Sequence, residues 1–142
     1  MNYSIIKELR SSKIIVVKIG SNILVDKDQN IKKEWLQSLA KDIKKIRDEK
    51  NKVVIVSSGA IALGKKTLGK KNLNNLHDKH AAASIGQIHL SQSWQAALSK
   101  VKVQCSQILL TAEDLMNRRK YLNARNTIFA LLDLGAVSYT HL

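Results

Sequence analysis

Short apolar segments alternate with longer segments of helical periodicity along this chain. Residues 12–20 and 52–56 are rich in Val and Ile, and the first of them ends in glycine. Continuous apolar strands are typical of a parallel sheet that is covered on both faces. Residues 101–110 predict a third strand. We therefore expect strands that are buried on both sides.

Amphipathic helices are predicted between these strands. In residues 31–50 the apolar positions recur at helical spacing, which leaves the lysines on the outer face. Further helices are predicted over 60–68, 78–99 and 121–134. The alternation of strands and helices predicts an α/β domain with a parallel sheet and right-handed crossovers.

Some local signals refine this picture. Residues 21–30 are predicted to form a polar loop, and Thr111 followed by Asp114 predicts a helix cap. The alanine run 81–83 with Gly86 indicates a seam where two helices pack closely. The histidines share no metal-ligand spacing, so no metal site is predicted from them.

Composition narrows the functional classes. A chain of 142 residues fits one domain, and no apolar run approaches the roughly 18–20 residues of a spanning helix. Cys105 is the only cysteine, which suits a reducing compartment and predicts a cytoplasmic location. The net charge of +13 could indicate nucleic-acid binding, but lysines are scattered among acids and aromatic residues make up only 4%. A lysine-rich solvated surface is favoured, and a basic nucleic-acid-binding module stays an alternative.

Two turns are candidates for ligand binding. Ligands of open α/β sheets lie beyond the carboxyl ends of the strands, which selects residues 18–22 and 57–60. Both turns carry small residues, and the second leads into a helix whose N-terminus attracts anions. Together they predict a substrate with at least two negative groups. Structural alternatives remain open: Lys18 as a strand-end lysine that reaches solvent, and Ser57 to Gly59 as a helix cap with a turn glycine.

The motifs in these turns resemble those of the glutamate 5-kinases, members of the amino-acid kinase family. The resemblance covers about residues 13–137, and the order and spacing of its motifs are highly specific. The matching stretches are Val16-Val17-Lys18-Ile19-Gly20-Ser21, Val54-Ile55-Val56-Ser57-Ser58-Gly59-Ala60-Ile61-Ala62-Leu63-Gly64, Ala81-Ala82-Ala83-Ser84-Ile85-Gly86-Gln87, Gln107-Ile108-Leu109-Leu110-Thr111 and Arg119-Lys120-Tyr121-Leu122-Asn123-Ala124-Arg125-Asn126-Thr127.

This resemblance implies a three-layer α/β/α sandwich on an open, mainly parallel sheet and transfer of phosphate from ATP to the side-chain carboxylate of L-glutamate. Lys18 is implied as the catalytic contact to the transferred phosphate, and Gly20 and Ser21 as the turn against the ATP phosphates. Ser58, Gly59 and Ala60 are implied as the glutamate-binding residues. Mg²⁺ is expected to bridge the ATP phosphates. The resemblance also implies a homo-oligomer when the enzyme is full length, with proline as a feedback inhibitor and the region 111–127 near the substrate entrance.

The end of the chain departs from the family pattern. The family continues after Val137 with apolar residues and an Asn-Glu-Asn-Asp motif, whereas this chain has Ser138-Tyr139-Thr140-His141-Leu142. We expect residues 1–137 to be the N-terminal portion of the kinase domain and residues 138–142 to be a non-native tail. The ATP-binding half and any PUA domain would then be absent, leaving an inactive, poorly soluble fragment with an exposed sheet edge.

Other functions stay open besides this one. The chain could belong to another amino-acid kinase, of the acetylglutamate or aspartate type or from a bifunctional proline-pathway enzyme. A regulatory fragment that binds glutamate or proline without turnover is a further alternative.

Overall fold

The computed structural model describes residues 12–70 and 72–141, the last of these by its backbone alone. Four strands and six helices form in the described ranges. The strands are β1 (Ile14–Ile19), β2 (Lys52–Ser57), β3 (Cys105–Gln107) and β4 (Val137–His141). The helices are α1 (Ser21–Leu24), α2 (Lys33–Asp48), α3 (Ala60–Thr67), α4 (Leu76–Lys100), α5 (Ala112–Met116) and α6 (Arg118–Asp133).

The strands form one parallel sheet in the order β1-β2-β4-β3. Lys18 of β1 lies opposite Val56 of β2, and Ser57 lies opposite His141 of β4. The carboxyl ends of β1, β2 and β4 therefore meet at one edge of the sheet. This confirms the predicted α/β class with a parallel sheet.

One face of the sheet carries the hydrophobic core. Ile55 and Tyr139 are fully buried there, and Trp94 of α4 packs against Tyr139 with ring centroids 6.2 Å apart. Side chains of α2 and α4 complete the core: Leu36, Ala40, Ile43, Leu90, Ala97 and Leu98. The expectation that both faces are buried is wrong for β1, because Val16 on the other face is 62% exposed.

Most helix predictions are confirmed within a few residues, and the connecting segments account for the larger errors. The predicted polar loop at 21–30 begins as helix α1, closed by a hydrogen bond from Val25 N–H to the Ser21 carbonyl at 2.8 Å. The predicted third strand is much shorter, since only Cys105–Gln107 pair with β4. Thr111 and Asp114 form the reciprocal capping box that the sequence indicates.

Helices α3 and α4 pack with their backbones in contact. A Cβ on Gly64 would lie 1.7 Å from the carbonyl oxygen of Ala82, and one on Gly86 would lie 1.8 Å from that of Ala60. No side chain larger than a hydrogen fits at either glycine unless the helices separate. The seam predicted at 81–86 is therefore confirmed, with α3 as its partner.

The segment that departs from the family pattern forms most of β4. Ser138 and Tyr139 are each about 1% exposed, and both lie between β2 and β3. The hydroxyl oxygens of Ser138 and Thr140 are buried without a hydrogen-bond partner in the described part of the chain. The expectation that residues 138–142 are non-native concerns their origin, and it stays a prediction.

Candidate functional site

Two hydrogen bonds join the end of β2 to the end of β1. Ser58 donates its backbone N–H to the Ile19 carbonyl at 3.0 Å and its hydroxyl to the same carbonyl at 3.1 Å. The turns that follow the two strands are thereby held side by side. Because the hydroxyl donates to the backbone, its lone pairs remain free to accept a hydrogen bond from a ligand.

Gly59 continues this turn in a conformation that favours glycine. Its φ is +118°, in the region that other residues rarely adopt. A Cβ on Gly59 would lie 3.3 Å from Cγ2 of Val25 and 3.9 Å from Cα of Ser21. The turn after β2 is therefore packed against the turn after β1, as a shared ligand site requires.

Helix α3 begins at this turn with open amides. Gly59 is its N-cap residue, and no side chain among the described residues caps the first turn. The alternative that Ser57 or Ser58 acts as a helix cap is therefore wrong. Uncapped N–H groups at a helix start carry partial positive charge and favour anions.

A cavity of about 800 Å³ opens in front of these amides. This volume lies within the range of small-molecule sites, which is about 300–1,000 Å³. The cavity is lined by residues of both turns and of neighbouring elements: Ser21, Ser58, Gly59, Ala60, Ile61, Ala62, Lys65, Asn72, Leu73, Asn74 and Ala83.

The cavity unites four of the six residues expected at the site, namely Ser21, Ser58, Gly59 and Ala60. Lys18 and Gly20 are exposed near it without lining it. Lys18 lies one residue before the end of β1, on the sheet face that also carries Val16 and Val56. The charge of Lys18 is therefore exposed. This agrees with the alternative in which a strand-end lysine reaches solvent.

Lys65, Asn72 and Asn74 line the cavity although the sequence does not mark them as site residues, and Ala83 of the predicted helix seam lines it as well. Lys65 follows Ile61 by four residues, and this spacing places both side chains on one face of α3. This helical spacing is the signal in the sequence that relates Lys65 to the start of α3. The asparagines belong to the segment before α4, whose path no local pattern predicts.

The donor set does not match a protein-held magnesium ion. The described residues contain no group of three or more His, Cys, Asp or Glu side chains that could hold a metal, and none of those that line the cavity is a carboxylate. Magnesium prefers carboxylate oxygens together with water and substrate phosphates. The expected Mg²⁺ therefore stays a prediction that depends on ATP.

A transmembrane span is not found in the described part of the chain, where each helix is too short or too polar to cross a bilayer.

Several known proteins with similar sequences are glutamate 5-kinases. The chain is 48% identical over 131 residues to the glutamate 5-kinase of Pelagibacter ubique, and 45% identical over 130 residues to that of Paramagnetospirillum magneticum. In both comparisons 91% of this chain is matched. The chain spans about 35% of the length of these relatives.

Solved structures with the same fold are more distant in sequence. A Giardia carbamate kinase superposes with a TM-score of 0.60 at 15% identity, covering 92% of this chain and 58% of that protein. The isopentenyl phosphate kinase of T. acidophilum superposes with a TM-score of 0.62 at 14% identity, covering 92% and 57%. These likenesses confirm the fold expected from the sequence.

The amino acid kinase family profile matches residues 13–141, which is nearly the whole chain. The parallel sheet, the fold neighbours and this match agree, and the chain belongs to the amino acid kinase family.

Proposed function

We propose that this chain forms the acidic-substrate and phosphate-binding part of a glutamate 5-kinase. The observation that carries the proposal is the uncapped start of α3, which opens with Ser21 and Ser58 onto one cavity. The names of the related proteins support glutamate as the substrate and a kinase reaction. The reaction is ATP-dependent phosphorylation of L-glutamate to L-glutamyl 5-phosphate, which we assign to the first step of proline biosynthesis.

The chemistry needs alignment and positive charge more than it needs a base. A glutamate side chain has a pKa of about 4.3 in water, so the attacking carboxylate is already ionised at neutral pH. One of its oxygens forms a bond to the γ-phosphorus of ATP, while the bond from that phosphorus to the β,γ-bridging oxygen breaks and ADP leaves. Two anions must approach each other, and fixed positive groups around them lower this barrier.

Each of the expected residues has a defined part in this proposal. Ser58, Gly59 and Ala60 hold glutamate: the amides that open α3 donate to its reacting carboxylate, and Ser58 fixes this turn through its two hydrogen bonds to the Ile19 carbonyl. Gly20 and Ser21 lie against the ATP phosphates, and Gly20 has open space around its Cα. Lys18 brings its exposed ammonium to the transferred phosphate, and this role makes it the catalytic cation.

Mg²⁺ supplies additional charge neutralisation when ATP brings it. Since the described residues do not form a site for it, we derive no step through the metal. Homo-oligomer formation and inhibition by proline are proposed for the complete protein only.

A hybrid enzyme tests the function. Residues 13–137 of this chain would replace the matching segment of the Pelagibacter ubique glutamate 5-kinase, to which the chain is 48% identical. We expect ATP-dependent formation of an acyl phosphate from L-glutamate, trapped by hydroxylamine, and much less from L-aspartate or N-acetylglutamate. A folded hybrid that prefers either of those acceptors would overturn the proposal in favour of another amino-acid kinase.

A further inference from the structure

Lys65 differs from its neighbours Lys66 and Lys70 because it lines the cavity of about 800 Å³ and no described side chain bonds to its ammonium. Its neighbour Lys66 donates a hydrogen bond to the side chain of Asn30, and Lys70 forms an ion pair with Asp78 at 2.6 Å. In the described part of the chain Lys65 has no such bond through its side chain. An unpaired ammonium in a concave site is available to an anionic ligand.

The position of Lys65 along α3 suits the far end of a dicarboxylate. The helix rises about 1.5 Å per residue, so Lys65 lies about 7.5 Å along the axis from Ala60. Ile61 shares its face and also lines the cavity, which places both side chains on the same wall. A substrate whose reacting carboxylate lies at the start of α3 therefore extends along this wall towards Lys65.

We infer that Lys65 binds the α-carboxylate of glutamate and is a specificity-determining residue for acceptors that carry this second acid. The inference rests on the proposed function. Asn72 and Asn74 line the same cavity and offer amide oxygens to the substrate ammonium. Among the described residues that line the cavity, Lys65 carries the one cationic side chain and none is anionic, so a dicarboxylate meets attraction at both ends.

A competing explanation is that Lys65 only complements the carboxyl end of α3. Both Lys65 and Lys66 lie in the last turn of this helix, where basic residues interact favourably with the helix dipole. Lys66 lines a different cavity, so it is a matched control. A helix-dipole effect would appear in both variants, whereas a substrate contact would appear in one.

The test compares Lys65→Met, Lys65→Arg and Lys66→Met in the hybrid kinase, with L-glutamate and with 4-aminobutyrate, which lacks the α-carboxylate. Loss of a charged hydrogen bond predicts a roughly 10- to 100-fold rise in the KM for L-glutamate in Lys65→Met. The kcat/KM for 4-aminobutyrate should not change, Lys65→Arg should recover much of the glutamate affinity, and Lys66→Met should match the parent.

The outcomes separate the two proposals. If the hybrid phosphorylates glutamate but Lys65→Met behaves like Lys66→Met, the role of Lys65 is wrong and the kinase function stands. If Lys65→Met loses activity equally with both acceptors, the residue is structural and the inference also fails. A folded hybrid that does not phosphorylate glutamate overturns both. Calorimetric titration of the 142-residue chain and its Lys65→Met variant with L-glutamate checks the binding step independently: the variant should bind roughly 10- to 100-fold more weakly than the parent.

Discussion

The carbonyl oxygen of Ala60 lies 1.8 Å from the position that a Cβ on Gly86 would occupy. Ala60 is the first residue of α3, so this contact lets the long helix α4 support the turn that opens the candidate site. Ala83, one turn earlier on α4, lines the cavity itself. The seam between the helices thus positions the amides that we assign to substrate binding.

Gly86→Ala should force α3 and α4 apart. Overpacking in a dense core costs about 1–3 kcal/mol, and a clash with backbone cannot be relieved by a rotamer change. We expect a loss of at least about 2 kcal/mol in the free energy of unfolding, measured with urea. Gly20→Ala is the control, since a Cβ there meets nothing within 4 Å. Equal stability of the two variants would contradict close backbone contact at Gly86.

Ser58→Ala should weaken both the fold and substrate binding. The variant removes the hydroxyl bond to Ile19, and a neutral hydrogen bond of this kind contributes about 1 kcal/mol. We also expect the KM for glutamate in the hybrid kinase to rise, because the turn that presents the amides of α3 to the substrate is held less firmly. Ser84→Ala is a matched control, since the Ser84 hydroxyl donates to the backbone carbonyl of His80 at an exposed position on α4. An unchanged KM in Ser58→Ala would remove the serine from the substrate site.

Lys18→Ala should lower turnover and leave stability unchanged. The Lys18 side chain is exposed, so its removal costs little packing. In the hybrid kinase we expect kcat to fall by about 100-fold or more, with a small effect on the KM for glutamate, because charge at the transferred phosphate acts mainly in the transition state. Lys13→Ala, which alters another exposed lysine, should behave as the parent. Near-normal kcat in Lys18→Ala would refute the catalytic role.

The sequence predicts local elements better than it predicts the site. The capping box at Thr111 and the long helix α4 arise from local interactions, and both are found close to where the pattern places them. The glycine seam was visible as small residues, but its partner helix depends on tertiary packing. Lys65 lies on the cavity wall only because α3 and the loop before α4 meet, which no spacing within the chain expresses.

The place of the last strand in the sheet also depends on tertiary contacts, which local sequence does not express. A strand between two others is expected to carry apolar residues, yet β4 carries Ser138 and Thr140. Local propensity still allows the strand, because Thr and Tyr favour extended structure. The sequence alone shows that this segment departs from the family pattern. It does not show that the segment pairs between β2 and β3.

Ser138→Ala should stabilise the chain. The Ser138 hydroxyl is buried without a hydrogen-bond partner in the described part of the chain, and an unsatisfied buried polar group costs about 1–3 kcal/mol. Removing it should raise the free energy of unfolding by up to about 1 kcal/mol, after the small loss of packing. Ser106→Ala is the control, because the Ser106 hydroxyl donates to the Val137 carbonyl at 3.3 Å and its removal should destabilise. Destabilisation by both variants would show that Ser138 has a partner, such as bound water.

Alkaline pH should destabilise the core around Tyr139. Burial raises the pKa of Tyr139 from 10.0 to about 12, and burial raises the pKa of Cys105 from 9.0 to about 11. In each case the folded state retains the proton that the unfolded state loses. The contribution of each protonated group to the free energy of unfolding is therefore fully present below its unfolded pKa. It is lost as the pH rises towards the folded pKa. The urea midpoint should therefore fall between about pH 9 and pH 12.

Tyr139→Phe distinguishes ionisation of the Tyr139 phenol from other effects of alkaline pH on stability. The variant loses the hydrogen bond that Gln87 Nε2 donates to the phenol oxygen at 3.3 Å, so it should be less stable at neutral pH. Because it has no phenol to ionise, its stability should fall less steeply above pH 10 than that of the parent. Tyr121→Phe, which changes an exposed phenol, should retain the parent's slope. If the slopes of Tyr139→Phe and the parent coincide above pH 10, Tyr139 does not ionise with unfolding and its burial beside Trp94 is not maintained in solution.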